Sequence, residues 1–185
     1  RIGRGAGGAE EQLTVQTSID PAAARPAAHN QKTIVFFLVP NFSMIAFTTA
    51  IEPLRLANRM RGDEMYAWRL ASIDGLPVTA SNGVVVNVQT SLDDERHALA
   101  SSRRPNIMFV CSGIHVEQAE NKSLFAYLRE CKNSGVTVGG LCTAAHLLAA
   151  VAGRCGRRRA GRFALKVADE SDIVRDLIRS PEVRL

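Results

Sequence analysis

The sequence predicts one α/β domain: a three-layer sandwich built on a mostly parallel sheet. Three observations predict it. Two continuous apolar runs, residues 33–39 (Thr-Ile-Val-Phe-Phe-Leu-Val) and 106–111 (Asn-Ile-Met-Phe-Val-Cys), have the β-branched and aromatic content of strands buried on both faces. Each run precedes a stretch whose apolar positions recur at helical spacing. Finally, Gly139-Gly140-Leu141-Cys142-Thr143-Ala144-Ala145 sets small residues around a cysteine where a strand run gives way to a helical one. Strands alternating with helices place the helices on the sheet faces.

Residues 1–31 are rich in Gly and Ala, contain Pro21 and Pro26, and show no hydrophobic period, so they read as a flexible leader. They carry Arg1 and Arg4 but lack the central apolar block of a signal peptide. Order is expected to begin near Lys32. The first strand run stops at Pro40-Asn41, and Ser43 is placed to cap a helix through Ile45, Ala46, Ala50, Leu54 and Ala57, with Pro53 as a kink. A short strand over residues 68–73 ends at the turn signal Asp74-Gly75, and residues 84–86 offer an edge segment after Asn82-Gly83. Beyond the strand at 106–111, a helix over residues 121–133 presents Leu124, Phe125 and Leu128 on one face and is closed by Gly135. Residues 136–138 supply a third strand, and the last helix begins at Thr143.

A chain of 185 residues with 46% apolar content can bury one ordinary core and is too short for two sizeable ones. Its longest apolar run is far below the roughly 20 residues that cross a bilayer, so the expectation is a cytoplasmic protein with no membrane partner. Cys111, Cys131, Cys142 and Cys155 form no C-x-x-C pair, which fits neither a zinc site nor a disulfide framework. Reduced thiols, no metal and no cofactor are expected. The formal charge of +5 is concentrated at one end: residues 1–150 carry 14 basic and 13 acidic side chains, residues 151–185 carry 9 and 5. Arg154, Arg157, Arg158, Arg159 and Arg162 are able to track a phosphate backbone. No base-reading motif accompanies them, so nucleic-acid binding by this segment is not the expectation.

Chemistry is expected at Cys142. Small flanking residues permit the sharp turn of a nucleophile elbow, which lifts the central side chain above the sheet, and the following helix N-terminus stabilises a thiolate. The alternative is a small apolar cysteine filling a tight corner. In open α/β sheets ligands gather outside the carboxyl ends of the strands, so Pro40-Asn41-Phe42, Cys111-Ser112-Gly113 and Leu141-Cys142-Thr143 should converge there. The backbone N–H groups of Gly113 and Thr143 are suited to an anionic oxygen. Phe42 and Trp68 are candidates for a cation-holding face, or else core. A cysteine enzyme would need a base. His146, one helical turn past the elbow, reads as a packing residue, and His115 as a solvent-facing loop residue.

The elbow motif resembles the ThiJ/PfpI (DJ-one) branch of the class I glutamine amidotransferase-like superfamily. That resemblance implies a flavodoxin-like sandwich in which Glu52, within Ala50-Ile51-Glu52-Pro53-Leu54-Arg55-Leu56-Ala57-Asn58, hydrogen-bonds the sulfur of Cys142. PfpI-type proteases have His where this chain has Thr143, and no complete Cys-His-acid triad is assignable. The stretch from Phe37 to Phe47, the motif 51–58, Asp74-Gly75, Ala80-Ser81-Asn82-Gly83 and Gly139 to Thr143 together resemble the sensor domains of GlxA-type AraC-family regulators, especially those governing choline, glycine betaine, carnitine and arginine catabolism. The likeness covers residues 32–150. It implies a non-catalytic, dimeric sensor of a small amine or amino-acid effector, with Asn41, Phe42, Glu52, Ser112, Gly113, Cys142 and Thr143 as candidate ligand-binding residues. DNA contact would fall to a helix-turn-helix domain beyond this chain. A stand-alone cysteine hydrolase or glyoxalase-like enzyme using Cys142 and Glu52, or a redox-responsive protein using Cys142, is the alternative. From Val151 the text turns abruptly rich in Arg, Gly and Ala, so residues 151–185 read either as a divergent basic tail or as the product of a shifted reading frame.

Overall fold

A computed structural model gives the structure of residues 31–153. The leader and most of the basic tail therefore lie outside the described residues. Strand β1 (Lys32–Leu38) is followed by helix α1 (Met44–Arg61), β2 (Tyr66–Ser72), the two-residue strands β3 (Val78–Thr79), β4 (Val85–Val86) and β5 (Thr90–Ser91), and the short helix α2 (Leu92–Ala98). Then come β6 (Ile107–Cys111), a single 3-10 turn (Val116–Ala119), α3 (Lys122–Asn133), β7 (Thr137–Leu141) and α4 (Ala144–Gly153). Five strands form one parallel sheet in the order β5-β2-β1-β6-β7. Without the two-residue β5, the long strands run 2-1-3-4 in chain order, which is the flavodoxin arrangement. The order reverses at β1, so the crevice between the carboxyl ends of β1 and β6 is the switch point.

Alternation along β1 creates the three layers. Ile34, Phe36 and Leu38 point into a cluster with Ala46, Phe47, Ala50 and Leu54 of α1. Val35, Phe37 and Val39 point the other way, into a cluster with Leu124, Leu128, Leu147 and Leu148 of α3 and α4. Both sets are essentially inaccessible, which is why residues 34–39 carry no polar side chain: a central parallel strand has no solvent face. Ser43 caps α1, its hydroxyl accepting from the Ala46 N–H. Gly62, with φ +72, ends α1 in the left-handed conformation that glycine adopts without steric cost.

Three expectations are corrected. Ile45 is not on the buried face of α1 but 70% exposed, and Phe47 takes the core position beside it. Residues 84–86 do not extend the main sheet: β4 pairs antiparallel with β3 in a separate hairpin, because the turn around Gly83 (φ +86) folds the strand back on Val78–Thr79. The third strand runs through both glycines to Leu141 rather than stopping at residue 138. No described helix is long and apolar enough to cross a membrane.

Candidate functional site

The elbow has the backbone that a nucleophile elbow requires. Cys142 is exposed and sits at φ +57, one of three non-glycine residues in the left-handed region among the described residues, with α4 starting two residues later. Such a conformation costs about 1–3 kcal/mol and persists only where packing enforces it. The chain is tightly packed on the way into the turn, where a Cβ on Gly140 would lie 3.1 Å from the Ala144 main chain. Gly139 lies against the ring of Phe109, which a Cβ would approach to 2.6 Å. The small residues before the cysteine are therefore there to let β7 lie flat on its neighbours while the chain turns. Cys111 and Cys131 are different thiols: both are buried, and burial pushes Cys131 up to about 11 and Cys111 higher still.

The three strand-end loops converge as expected. The Thr143 hydroxyl donates to the Gly113 carbonyl at 2.5 Å and lies 2.9 Å from the Ser112 hydroxyl. Ser43 N–H donates to the Ser112 carbonyl, and Val39 N–H to the Cys111 carbonyl. Gly113 packs so closely under the first loop that a Cβ would lie 2.3 Å from the Asn41 carbonyl oxygen. Ser112, Gly113 and Thr143 thus knit the loops together. Phe42 bridges Ala80 and Gly113 through its backbone while its ring is fully buried edge-on to Phe47. Trp68 pairs with Ile34 toward the amino ends of the strands. The two aromatics do not form a cation-holding face.

Glu52 does not bond the sulfur of Cys142. Among the described residues its carboxylate is joined to Arg55 at 2.6 Å on the exposed side of α1, and the hydrogen bond from Arg55 holds it below the usual carboxylate range. The physical reason is helical phase: Leu54 faces the core, which turns residue 52 to solvent. His146 is not a packing residue, since its side chain is 56% exposed with Nε2 3.4 Å from Glu120. His115 is a solvent-facing loop residue, 57% exposed and 3.7 Å from Glu117. Among the described residues neither imidazole is hydrogen-bonded to Cys142.

The sequence did not reveal the cleft. A cavity of about 390 Å³ opens at the carboxyl ends of β1 and β2, between the β3–β4 hairpin and the start of α3. Of the predicted residues, Asn41 lines it, held at φ +61 with its N–H donated to the Thr79 carbonyl. Ser72, Asp74, Gln118, Glu120 and Asn121 supply its other principal polar groups. Asp74 was legible only as a turn signal. Its Oδ1 accepts from the Leu76 N–H and from the buried Ser72 hydroxyl, so the turn fixes the carboxylate at the rim. Cys142 is not among the lining residues.

A mostly parallel sheet flanked by helices is the fold of solved DJ-1 and ThiJ/PfpI proteins. The chain aligns with a solved DJ-1 superfamily protein from Agrobacterium tumefaciens at TM-score 0.55 and 16% identity, covering 84% of this chain and 92% of that one. It also matches a solved AraC family transcriptional regulator from Pseudomonas putida at TM-score 0.51 and 28% identity, over 59% of this chain and 55% of that one. By sequence it is 38% identical over 123 residues to the HTH-type transcriptional regulator CdhR of Pseudomonas aeruginosa, covering 66% of this chain and 34% of that protein. Against the HTH-type transcriptional regulator GlxA of Rhizobium meliloti it is 30% identical over 129 residues, 69% of this chain and 38% of that protein. No family model matches the chain. Its homologues are therefore HTH-type regulators and its fold is that of the ThiJ/PfpI and DJ-1 proteins, as the motifs at 51–58 and 139–143 imply. The chain spans about a third of the length of these curated relatives.

Proposed function

We propose that residues 32–150 form a non-catalytic effector-sensing domain of a cytoplasmic transcription regulator that controls catabolism of small amines or amino acids. The observation that carries this reading is the 38% identity to an HTH-type regulator over 123 residues. The site supports it. At position 143, the place of the histidine base in PfpI-type proteases, stands a threonine whose hydroxyl is committed to the Gly113 carbonyl and the Ser112 hydroxyl. DNA contact, in this reading, belongs to a helix-turn-helix domain of the kind named in the relatives, not to residues 31–153. The domain pairs with a second copy of itself: Ile45, Leu56 and Met60 form an exposed apolar stripe along α1, 70%, 46% and 69% accessible, of the kind that marks an interaction surface.

A second reading, a cysteine enzyme or redox-responsive protein, is favoured by the exposure and strained backbone of Cys142. Thermal unfolding of the 185-residue chain against a panel of amines and amino acids separates the two. The sensor reading expects a saturable rise in melting temperature that survives in Cys142→Ala. Thiol-dependent turnover of dicarbonyls or peptides, abolished in that variant, would instead establish the enzyme.

A further inference from the structure

We infer that the cleft between the β3–β4 hairpin and the start of α3 takes a small organic cation bearing N–H donors, an ammonium or guanidinium compound, and disfavours both fully methylated ammonium ions and ligands of net negative charge. The inference rests on the sensing reading and gives it a site and a ligand class. Its lining is rich in acceptors: the carboxylates of Asp74 and Glu120, the side-chain carbonyls of Asn41 and Gln118, and the Ser72 hydroxyl oxygen, while the Asn121 carbonyl is taken by the Ser123 and Leu124 N–H groups that it caps. Among the described lining residues there is no Lys, Arg or His, so the two carboxylates face the cleft unopposed by a lining cation and disfavour a ligand of net negative charge. Charge-assisted N–H donors match carboxylate acceptors with directional bonds. A quaternary ammonium offers no donor and is held by aromatic faces. Phe37, the one aromatic among the lining residues, is 1% exposed and packed into the core.

The rest of the geometry is consistent with a built site. Asp74 is preorganised: the Leu76 N–H at 3.0 Å and the Ser72 hydroxyl at 3.2 Å both donate to Oδ1 and fix the carboxyl plane. The volume of about 390 Å³ lies at the lower end of ligand pockets, which suits a short diamine or guanidino compound. Occupancy would also be felt at the elbow. Glu120 lines the cleft and lies 3.4 Å from His146 on α4, the helix that leaves Cys142.

The test is titration calorimetry and thermal shift on the full 185-residue chain at about 0.15 M salt, with agmatine, tetramethylammonium and succinate as probes. Agmatine should bind saturably and at least tenfold more tightly than either of the others. Asp74→Asn keeps the Oδ1 acceptor that the turn uses, so it should fold normally and bind agmatine at least tenfold more weakly. Glu120→Gln serves as the second variant and should weaken agmatine in the same direction. Cys142→Ser should leave the affinity unchanged. Binding of tetramethylammonium or succinate equal to that of agmatine, or agmatine binding untouched by both carboxamide variants, overturns the ligand class while leaving a sensor standing. Silence toward all three probes overturns the inference, and silence toward the wider amine and amino-acid panel overturns the sensing reading with it.

Discussion

At the residue scale the domain depends on a few positions where the backbone leaves no choice. Gly113 is the clearest, since an added methyl would collide with the Asn41 carbonyl at 2.3 Å and the Ser43 nitrogen at 2.8 Å, both main-chain atoms. Gly113→Ala is therefore expected to cost about 2–3 kcal/mol by overpacking, read as a lowered urea midpoint; an unchanged midpoint would show that the loops do not meet as described. The cysteines give a second expectation. Burial holds Cys111 and Cys131 as neutral thiols, whereas Cys142 is exposed on a helix N-terminus. Iodoacetamide at pH 8 should label Cys142 well before the other two, as read by peptide mass spectrometry. The sign of the linked pH effect follows from the raised value. The unfolded thiol of Cys131 ionises near its ordinary 9.0 and the folded one only near 11, so the stability it supports is complete below pH 9 and declines as pH rises toward 11. A native chain that alkylates Cys111, Cys131 and Cys142 together would contradict the burial of the first two.

At the scale of elements, β2 and α2 are joined by a pair that no local pattern announces. Arg69 donates from Nε and Nη2 to the two oxygens of Glu95 at 2.8 and 2.7 Å, and Thr90 donates to Glu95 as well. Glu95 is 1% exposed. Glu95→Ala would strand the guanidinium, so a loss of about 3–5 kcal/mol in chemical denaturation is expected; a loss below about 1 kcal/mol would mean that the pair is solvated. The pair was invisible in the sequence because its members lie 26 residues apart on different elements. What was legible was what has a period. The run at 33–39 declared a strand buried on both faces, Ser43 declared the start of α1, and Gly139-Gly140 declared close packing at the elbow. Asn58 shows the limit. It belongs to the motif 51–58, yet only the structure reveals that its side chain clamps the Tyr66 N–H at 3.0 Å and the Tyr66 carbonyl at 2.7 Å, anchoring the start of β2 to α1. Ile45 was misplaced because a spacing rule fixes which residues share a face, not which of two overlapping faces meets the sheet; Glu52 was set beside Cys142 by the family resemblance alone, which carries no information on its pairing with Arg55.

At the scale of the molecule, the loops at the carboxyl ends of the parallel strands carry the polar residues that the core excludes, and the cleft opens there between β1 and β2, one strand over from the β1–β6 switch point. The cleft itself was not legible, because its lining comes from four separated segments whose meeting is a property of topology. The stripe of Ile45, Leu56 and Met60 is likewise a property of the whole surface. Met60→Glu should shift the chain from dimer to monomer in light scattering without lowering its melting temperature by more than a few degrees; a wild-type chain that is monomeric at high micromolar concentration would refute the pairing. In our reading the domain senses a small molecule at the carboxyl ends of its strands. The most direct test is an amide chemical-shift titration of the labelled 185-residue chain with agmatine. Saturable shifts are expected to gather at residues 40–41, 73–79 and 118–121, with a smaller response at Cys142 and His146. Shifts confined to the elbow around Cys142, or none across the amine and amino-acid panel, would contradict it.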